Sequence, residues 1–293
     1  MKAALLPDRG IIKVSGEPAR GFLNNLVTSD IGELTPGGAR YGALLTPQGK
    51  IISDFIVTEA AAEDGGGFFL DCPRALVRTL LERLNLYKLR AKIAIEDFSE
   101  GLGVMAIWDG AGTTESGLVY PDPRLPALGL RVIVPIQHAG DVAKELGATL
   151  TDEAAYDAHR VALSVPRGGL DFLYSDAFPH DADMDQLGGV DFKKGCYVGQ
   201  EVVSRVEHRG SARTRVVPVR YDEHAPAPGI PVMLGEKSVG MMGSSADGKG
   251  LALLRLDRID RADAPLVAGG IPIRLASADW IRFEMPSGVK AAS

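Results

Sequence analysis

The stretch KKGCYVGQE, residues 193–201, contains one of only two cysteines in a chain of 293 residues. Two lysines stand directly before Cys196, and neighbouring cationic groups favour a thiolate over a thiol. If the residues from Gly199 to Val206 form a helix, Cys196 also lies just before the positive end of that helix. The residues alone leave two interpretations open: Cys196 is a reactive thiol, or it is a small apolar residue at a turn.

The other cysteine, Cys72, stands between Asp71 and Pro73 at the end of an apolar strand pattern, and we expect it to pack in the core. Two cysteines supply neither a disulfide framework nor a paired metal motif, and this usage fits a reducing compartment. The formal net charge of −6 argues against nucleic-acid binding through charge, because phosphate contacts need a basic face. The arginine-rich stretch 205–220 is either a solvated face or a local nucleic-acid patch, and we do not expect direct nucleic-acid binding.

The composition is that of a globular protein without a membrane segment. Hydrophobic residues make up 45% of the chain and charged residues 24%, which is typical of packed domains. The apolar run at the N-terminus stops at residues 7–9, before it reaches the length that a signal peptide needs. No stretch approaches the roughly 18 apolar residues of a membrane span. We therefore expect a cytoplasmic monomer that does not enter a membrane.

Hydrophobic periodicity predicts strands and helices in alternation. Residues 10–59 predict a strand, a helix and then a hairpin with a Pro-Gly turn. Residues 68–146 predict a compact α+β unit that includes one strongly amphipathic helix. A further helix begins near Asp152, which is a favourable N-cap residue. Beyond Arg213, short apolar segments separated by Gly and Pro turns predict a small antiparallel barrel.

Three familiar motifs are excluded. Residues 101–106 match the dinucleotide pattern G-x-G-x-x-A, but a strand and a turn follow them where a helix is needed. The aspartates of residues 181–185 have calcium-loop spacing, yet the glycine and glutamate that such a loop needs further on are missing. His180 and His208 could join Cys196 in a zinc site only if the fold were assumed. No metal site is predicted.

Asp54 lies inside the apolar strand pattern IISDFIV, residues 51–57. A carboxylate that faces an apolar core without a partner is costly. Asp54 therefore either faces solvent from an edge strand or points into a ligand pocket. The residues alone leave both alternatives open.

The motif at residues 193–201 resembles the K-G-C-[FY]-x-G-Q-E signature of the YgfZ-type folate-binding proteins, a branch of the aminomethyltransferase-like (GcvT) superfamily. Residues 178–192 are similar to the approach to this motif, and residues 22–31 and 43–50 are similar to N-terminal blocks of the family. The resemblance implies an α+β fold in which three domains form a ring around a folate channel. Ferredoxin-like α+β units and a C-terminal antiparallel β-barrel would make up these domains.

The resemblance also implies a domain division. Residues 1–48 and 150–210 would form a split first domain that carries the cysteine motif. Residues 49–149 would form an inserted α+β domain, and residues 211–293 the barrel. This division agrees with the order of the strand and helix patterns.

By this resemblance, the protein would bind tetrahydrofolate and act as an accessory factor in the assembly or repair of iron–sulfur proteins, with an indirect effect on tRNA thiolation. Its partners would be iron–sulfur client or assembly proteins. Cys196 would be the working thiol, and Asp54 would handle protons. Lys194, Gly195 and Gly199 would support the motif. The expected contacts of tetrahydrofolate, or of a one-carbon derivative of it, are Asp54, Arg160, Tyr197, Gln200 and Glu201.

The alternative function is a folate-dependent aminomethyl or methyl transferase of the glycine cleavage type. The true transferases of the family carry an Asp-Asp pair where this chain has Ser53 and Asp54, so one carboxylate is retained. A second departure is Ser164, which stands where the family segment R-x-x-x-G-x-P has glycine. We therefore expect an accessory factor rather than an enzyme with robust turnover.

Overall fold

A computed structural model describes residues 1–62, 65–210, 212–260 and 264–286. The strands are β1 (Lys2–Leu6), β2 (Arg9–Ser15), β3 (Ala39–Leu45), β4 (Ile51–Glu59), β5 (Phe68–Pro73), β6 (Ala94–Asp97), β7 (Leu102–Trp108), β8 (Leu118–Pro121), β9 (Leu130–Pro135), β10 (Thr149–Thr151), β11 (Thr214–Arg220), β12 (Pro231–Leu234), β13 (Lys237–Ala246), β14 (Lys249–Arg255), β15 (Leu266–Ala268) and β16 (Ile271–Leu275). The α-helices are α1 (Ala19–Asn24), α2 (Val77–Lys88), α3 (Ala139–Glu145), α4 (Glu153–Ala162), α5 (Gln200–Arg209) and α6 (Leu256–Ile259).

These elements form two compact units. Unit 1 comprises Met1–Tyr156 and Leu187–Gln200. Unit 2 comprises Asp157–Gln186 and the described residues from Glu201 onward. The segment with the cysteine motif therefore returns to unit 1 after the chain has entered unit 2.

Unit 1 contains two five-stranded sheets. The first has the strand order β3-β4-β5-β2-β6 with antiparallel neighbours throughout. Helices α1 and α2 cover one face of it, because Leu23 and Leu80 join the same buried cluster as Phe55 and Leu70. The second sheet has the order β10-β1-β7-β9-β8, in which β1 pairs with β10 in parallel, and α3 packs against it through Val142.

A buried ionic network joins the two sheets of unit 1. Asp71, on the first sheet, accepts hydrogen bonds from Arg9 Nε at 2.6 Å and from Arg131 Nη1, on the second sheet, at 2.5 Å. Arg131 also binds Asp122, which pairs with Arg124. Burial opposes the ionised carboxylate, but the two arginines outweigh burial and hold the pKa of Asp71 below its usual range. Because each of these charged groups has a partner of opposite charge, their mutual attraction offsets much of the free energy needed to remove them from water.

The barrel of unit 2 is closed by six antiparallel strands in the order β11-β14-β13-β12-β15-β16. The pairing of β16 with β11, which brings Leu275 opposite Val219, completes the circle. Apolar side chains such as Val217 and Leu254 fill the interior and are fully buried. The α+β fold and the antiparallel barrel predicted from the sequence are confirmed.

Two features of unit 1 do not follow the order of the strands along the chain. The predicted boundary after residue 48 lies in the turn between β3 and β4, which are neighbours in one sheet, so these strands cannot belong to different domains. Strand β1 lies in the second sheet rather than beside β2, because it pairs with β7 over its whole length. The division into three domains and their arrangement as a ring stay predictions.

Candidate functional site

Cys196 lies on a loop of unit 1, residues 187–199, which we call the Cys196 loop. The Cys196 side chain is exposed, whereas Cys72 is fully buried. Burial raises the pKa of the Cys72 thiol to about 12, so this thiol stays protonated and packs as an apolar residue. The expected contrast between an accessible and a packed cysteine is confirmed.

Thr28 fixes the start of the Cys196 loop to the first sheet. Its hydroxyl donates to the Gly189 carbonyl at 2.5 Å and accepts from the Ala43 amide on β3 at 2.9 Å. The Thr28 carbonyl accepts from the Asp191 amide at 2.9 Å. The carboxylate of Asp191 then accepts from the amides of Lys193 and Lys194, at 2.7 and 3.0 Å, which closes a turn just before the cysteine.

Lys194 forms the second attachment. Its Nζ donates to the carbonyls of Asn24, Val27 and Ser29 at 2.7, 2.8 and 2.7 Å, and it lies 5.6 Å from the centre of the Tyr197 ring. Burial lowers the pKa of Lys194 to about 8. An ammonium group has three protons to donate, and three carbonyls receive them here.

Gly199 forms the third attachment, against the turn between β3 and β4. Its φ of +83° lies in the left-handed region, and a Cβ atom there would lie 2.6 Å from the Thr46 carbonyl oxygen. Only glycine allows this close approach without strain. Gly195 differs, because an added Cβ would meet no atom of the described residues within 4 Å. The predicted supporting role is therefore explained sterically for Gly199 and not for Gly195.

Tyr197 points inward from the same loop. It is 7% exposed, and its hydroxyl has no hydrogen-bond partner within the part of the chain that the structure describes. Burial, and then the charge of Asp191, raise the pKa of this phenol to about 12. The hydroxyl of Ser29, whose carbonyl binds Lys194, is likewise buried and unpaired among the described residues. Such hydroxyls are costly to bury without a partner, so they are candidate contacts for a polar ligand.

Asp54 is buried on β4, opposite Ala43 of β3. β4 lies between β3 and β5, so the edge-strand interpretation is wrong. The Tyr41 hydroxyl donates to Asp54 Oδ2 at 3.1 Å, and both residues are buried. Burial, and then the charge of Asp54, raise the pKa of Tyr41 well above its usual range, so Tyr41 is a neutral donor to this carboxylate.

Arg160 does not fit the predicted folate contact. Its Nε and Nη2 donate to the Asp157 carboxylate, and Nη2 also donates to the Ser244 hydroxyl. Its Nη1 donates to the Val165 carbonyl and to the Asp171 carboxylate. These bonds use all five guanidinium protons. Because Arg160 is 2% exposed, it holds unit 2 together and has no donor left for a ligand.

The other two predicted folate contacts lie at the start of α5. Gln200 is half-buried and is the first residue of that helix. Glu201 follows it in unit 2 and is exposed. Their predicted roles in folate binding stay predictions.

A polar group in unit 2 was not anticipated from the sequence. His180, Asp185 and Glu207 bring their side-chain N and O atoms within 4.8 Å of one another, and they line a cavity of about 370 Å³. Arg215 already binds both carboxylate oxygens of Asp185, at 2.6 and 2.9 Å. A cation beside this carboxylate opposes a second one, so the group is an ion-pair network.

Arg215 also belongs to the arginine-rich stretch 205–220, whose residues differ in their exposure to solvent. Arg215 is buried in ion pairs with Asp183 and Asp185, whereas Arg205 and Arg209 are exposed on α5. The cationic residues of this stretch therefore do not share one solvent-facing surface.

The fold and the exposed cysteine loop can now be compared with known proteins. The family described as "GCVT N-terminal domain" matches residues 8–110, and the family described as "CAF17, C-terminal beta-barrel domain" matches residues 213–283. A solved structure, glycine cleavage system aminomethyltransferase T from Bartonella henselae, superposes with a TM-score of 0.76 at 16% identity, and covers 98% of this chain and 88% of that one. An antiparallel sheet and a mixed sheet, each with helices packed against it, together with a closed six-stranded barrel thus define the GcvT-like fold. The two family models place residues 8–110 in the GcvT-like aminomethyltransferase superfamily and assign residues 213–283 to a barrel of the CAF17 type.

Three relatives with significant similarity share one name. Two fungal proteins, from Mycosarcoma maydis and Coccidioides immitis, are named iron–sulfur cluster assembly factor IBA57 homolog, mitochondrial, and are 34% and 32% identical over 75% and 84% of this chain. The Homo sapiens protein, iron–sulfur cluster assembly factor IBA57, mitochondrial, is 28% identical over 94% of this chain and 84% of its own length. The chain spans only 57% and 66% of the two fungal relatives.

These relatives correct two predictions. The superfamily predicted from the motif is confirmed, but the relatives are IBA57 proteins, so the chain is a relative of the YgfZ branch and not a YgfZ protein itself. The predicted cytoplasmic location is wrong, since the relatives are named as mitochondrial proteins. The cytoplasm was predicted because two cysteines without a disulfide framework fit a reducing compartment. Cysteine usage does not distinguish one reducing compartment from another. Over the described ranges, no helix is long and apolar enough to cross a membrane.

Proposed function

We propose that this protein is an iron–sulfur cluster assembly factor in which Cys196 provides a thiolate ligand to iron. The exposed Cys196 on its firmly attached loop is the observation that carries the proposal. The names of the relatives support the same role. Thiolate is the preferred ligand of iron–sulfur clusters, and an accessible cysteine can provide it when the cluster is cargo in transit.

The number of accessible cysteines limits how many ligands this protein can give to a cluster. A [2Fe–2S] cluster normally needs four thiolate ligands, but Cys72 is buried and protonated. Cys196 can therefore supply only one of them. The remaining ligands would come from a partner protein or from small thiols, so the cluster would be shared and held transiently.

The proposal includes a reduced folate bound by unit 1. Asp54 is a buried carboxylate, and the hydroxyls of Tyr197 and Ser29 are buried without a hydrogen-bond partner among the described residues; a pterin needs a few such polar groups in its pocket. Asp54 would accept a hydrogen bond from the ligand, and Tyr41 would keep its carboxylate in place. Gln200, the last residue of unit 1, is a further candidate contact. Through iron–sulfur client enzymes, loss of the protein would then lower tRNA thiolation indirectly.

Anaerobic reconstitution tests the proposed role of Cys196. Wild type is mixed with ferric iron, sulfide and glutathione, and the bound cluster is measured by visible absorption and iron content. We expect Cys196→Ser to lose the cluster and Cys72→Ala to retain it. A Cys196→Ser variant that binds as much iron and sulfide as wild type would refute the role of Cys196.

A folate-dependent aminomethyl transferase is the second candidate, favoured by the buried Asp54 and its neutral donor Tyr41. Its test is formation of methylene-tetrahydrofolate from tetrahydrofolate and an aminomethyl donor. Turnover on the order of 1 per second or faster, which is typical of enzymes, would promote this candidate. We expect no such turnover, because only one carboxylate of the family's pair is present. Calorimetric titration with tetrahydrofolate tests the shared requirement for folate binding.

A further inference from the structure

Lys194 attaches the Cys196 loop to the rest of unit 1 through three hydrogen bonds of one side chain. Its three hydrogen bonds end on backbone carbonyls of residues 24, 27 and 29. Asn24 is the last residue of α1, and the final carbonyls of a helix have no partner within the helix. A cation at this end also interacts favourably with the helix dipole. The ammonium group thus caps α1 and holds the loop with the same bonds.

The number and shape of the donors fit a lysine in particular. Three protons point in tetrahedral directions from Nζ, and the three distances of 2.7 to 2.8 Å are those of charge-assisted hydrogen bonds. A planar guanidinium distributes its donors differently. These bonds favour the charged lysine, whereas burial opposes it.

Cys196 lies between two fixed points. Lys194 precedes it by two residues, so the two Cα atoms are at most about 7.6 Å apart. Gly199 follows three residues later and is held against the β3–β4 turn. Cys196 itself is exposed, so attachment at both sides limits its position without covering the sulfur.

We infer that Lys194 is a positioning residue for Cys196: by binding three backbone carbonyls at the end of α1, it fixes where the thiol is presented to iron. This inference rests on the proposed role of Cys196 as a ligand. Lys194 does not touch the cluster. Its contribution is to hold the loop in the geometry that a shared cluster requires, as residues behind a metal ligand do in other sites.

Hydrogen exchange tests the attachment without reference to iron. In Lys194→Met, we expect the amides of residues 191–198 to exchange about tenfold faster, which corresponds to about 1.4 kcal/mol less for local opening. Lys193→Met is the matched control, because Lys193 is exposed and its substitution makes the same change of charge. We expect it to leave exchange unchanged. Amides in the barrel should be unchanged in both variants, which separates local release from general destabilisation.

A cluster readout tests the positioning. In the reconstituted protein, the half-life of the cluster against an iron chelator should fall about tenfold in Lys194→Met, within the range for residues that orient metal ligands, and should be unchanged in Lys193→Met. If Lys194→Met does not fold, Lys194→Gln is measured instead, since its amide retains two donors.

The outcomes separate the two claims. Equal exchange of the loop amides in wild type and Lys194→Met would overturn the inference, and so would equal cluster half-lives. A wild type that binds no cluster would instead refute the proposed function, and the exchange measurement would still decide whether Lys194 holds the loop.

Discussion

Replacement of Gly199 by alanine tests how tightly the Cys196 loop is attached. Gly199 has φ of +83°, and the added Cβ would lie 2.6 Å from the Thr46 oxygen and 3.1 Å from the Gly49 Cα and the Leu45 Cβ. The two closest atoms belong to the backbone, so they cannot move aside by a change of rotamer. The loop or the β3–β4 turn must shift.

Two costs add up in this variant. A residue with a Cβ in the left-handed region costs about 1–2 kcal/mol, and forced displacement of packed backbone costs about 1–3 kcal/mol. We therefore expect Gly199→Ala to lower the free energy of unfolding by about 3 kcal/mol. If unit 1 unfolds as one cooperative unit, that is a fall in its Tm of about 6–12 °C.

Differential scanning calorimetry measures this change, with Gly195→Ala as the matched control. Gly195 is exposed, and its added Cβ would meet no described atom within 4 Å. We expect this control to stay within about 0.5 kcal/mol of wild type, as surface substitutions do. A Gly199→Ala variant that melts within about 1 °C of wild type would contradict the proposed attachment, as would two glycine variants with equal losses.

Three further predictions concern other parts of the chain. Iodoacetamide at pH 8 should alkylate Cys196 at least about a hundredfold faster than Cys72, because the buried Cys72 thiol becomes accessible only when the protein opens. Comparable alkylation rates of the two cysteines, measured by mass spectrometry, would contradict an accessible Cys196. Ser164 has φ of +63°, so Ser164→Gly should raise Tm by about 2–4 °C through about 1 kcal/mol of relieved strain, and a lower Tm in calorimetry would contradict this. Asp71→Asn removes the buried carboxylate that pairs with Arg9 and Arg131, while Asp122 still pairs with Arg131, and should cost about 3–5 kcal/mol in urea unfolding at pH 7. Because the folded pKa of Asp71 is lowered, this cost should shrink as pH falls below about 4, the unfolded value; a cost that is constant with pH would argue against the ionised carboxylate.

Local patterns in the sequence predicted the main features of the fold. The β3–β4 hairpin follows from alternating apolar residues around a Pro-Gly turn, and the barrel follows from short apolar segments between turns. The position of β1 could not be predicted in this way. Its partners on β7 and β10 lie about 100 and 147 residues further along the chain, and no short-range pattern encodes such pairing.

The candidate site shows the same limit. The motif marked Cys196, because its composition is unusual over nine residues. The attachment made by Lys194 could not be predicted from the sequence, because its carbonyl partners lie 165 to 170 residues earlier in the chain. These partners are backbone atoms, which every residue has. Arg160 was predicted as a folate contact from the family resemblance, but its hydrogen bonds to Asp171 and Ser244 already use its donors. Burial of such charges is a property of the folded chain.

The central claim, that Cys196 binds iron in a transient cluster, is tested most directly by protection of its sulfur. The reconstituted protein is treated anaerobically with iodoacetamide, before and after removal of iron by a chelator, and the alkylated cysteines are quantified by mass spectrometry. We expect Cys196 to be protected while the cluster is bound, in proportion to the iron present, and to react once the iron is removed. Full alkylation of Cys196 in protein that retains its iron and its visible absorption would contradict the claim.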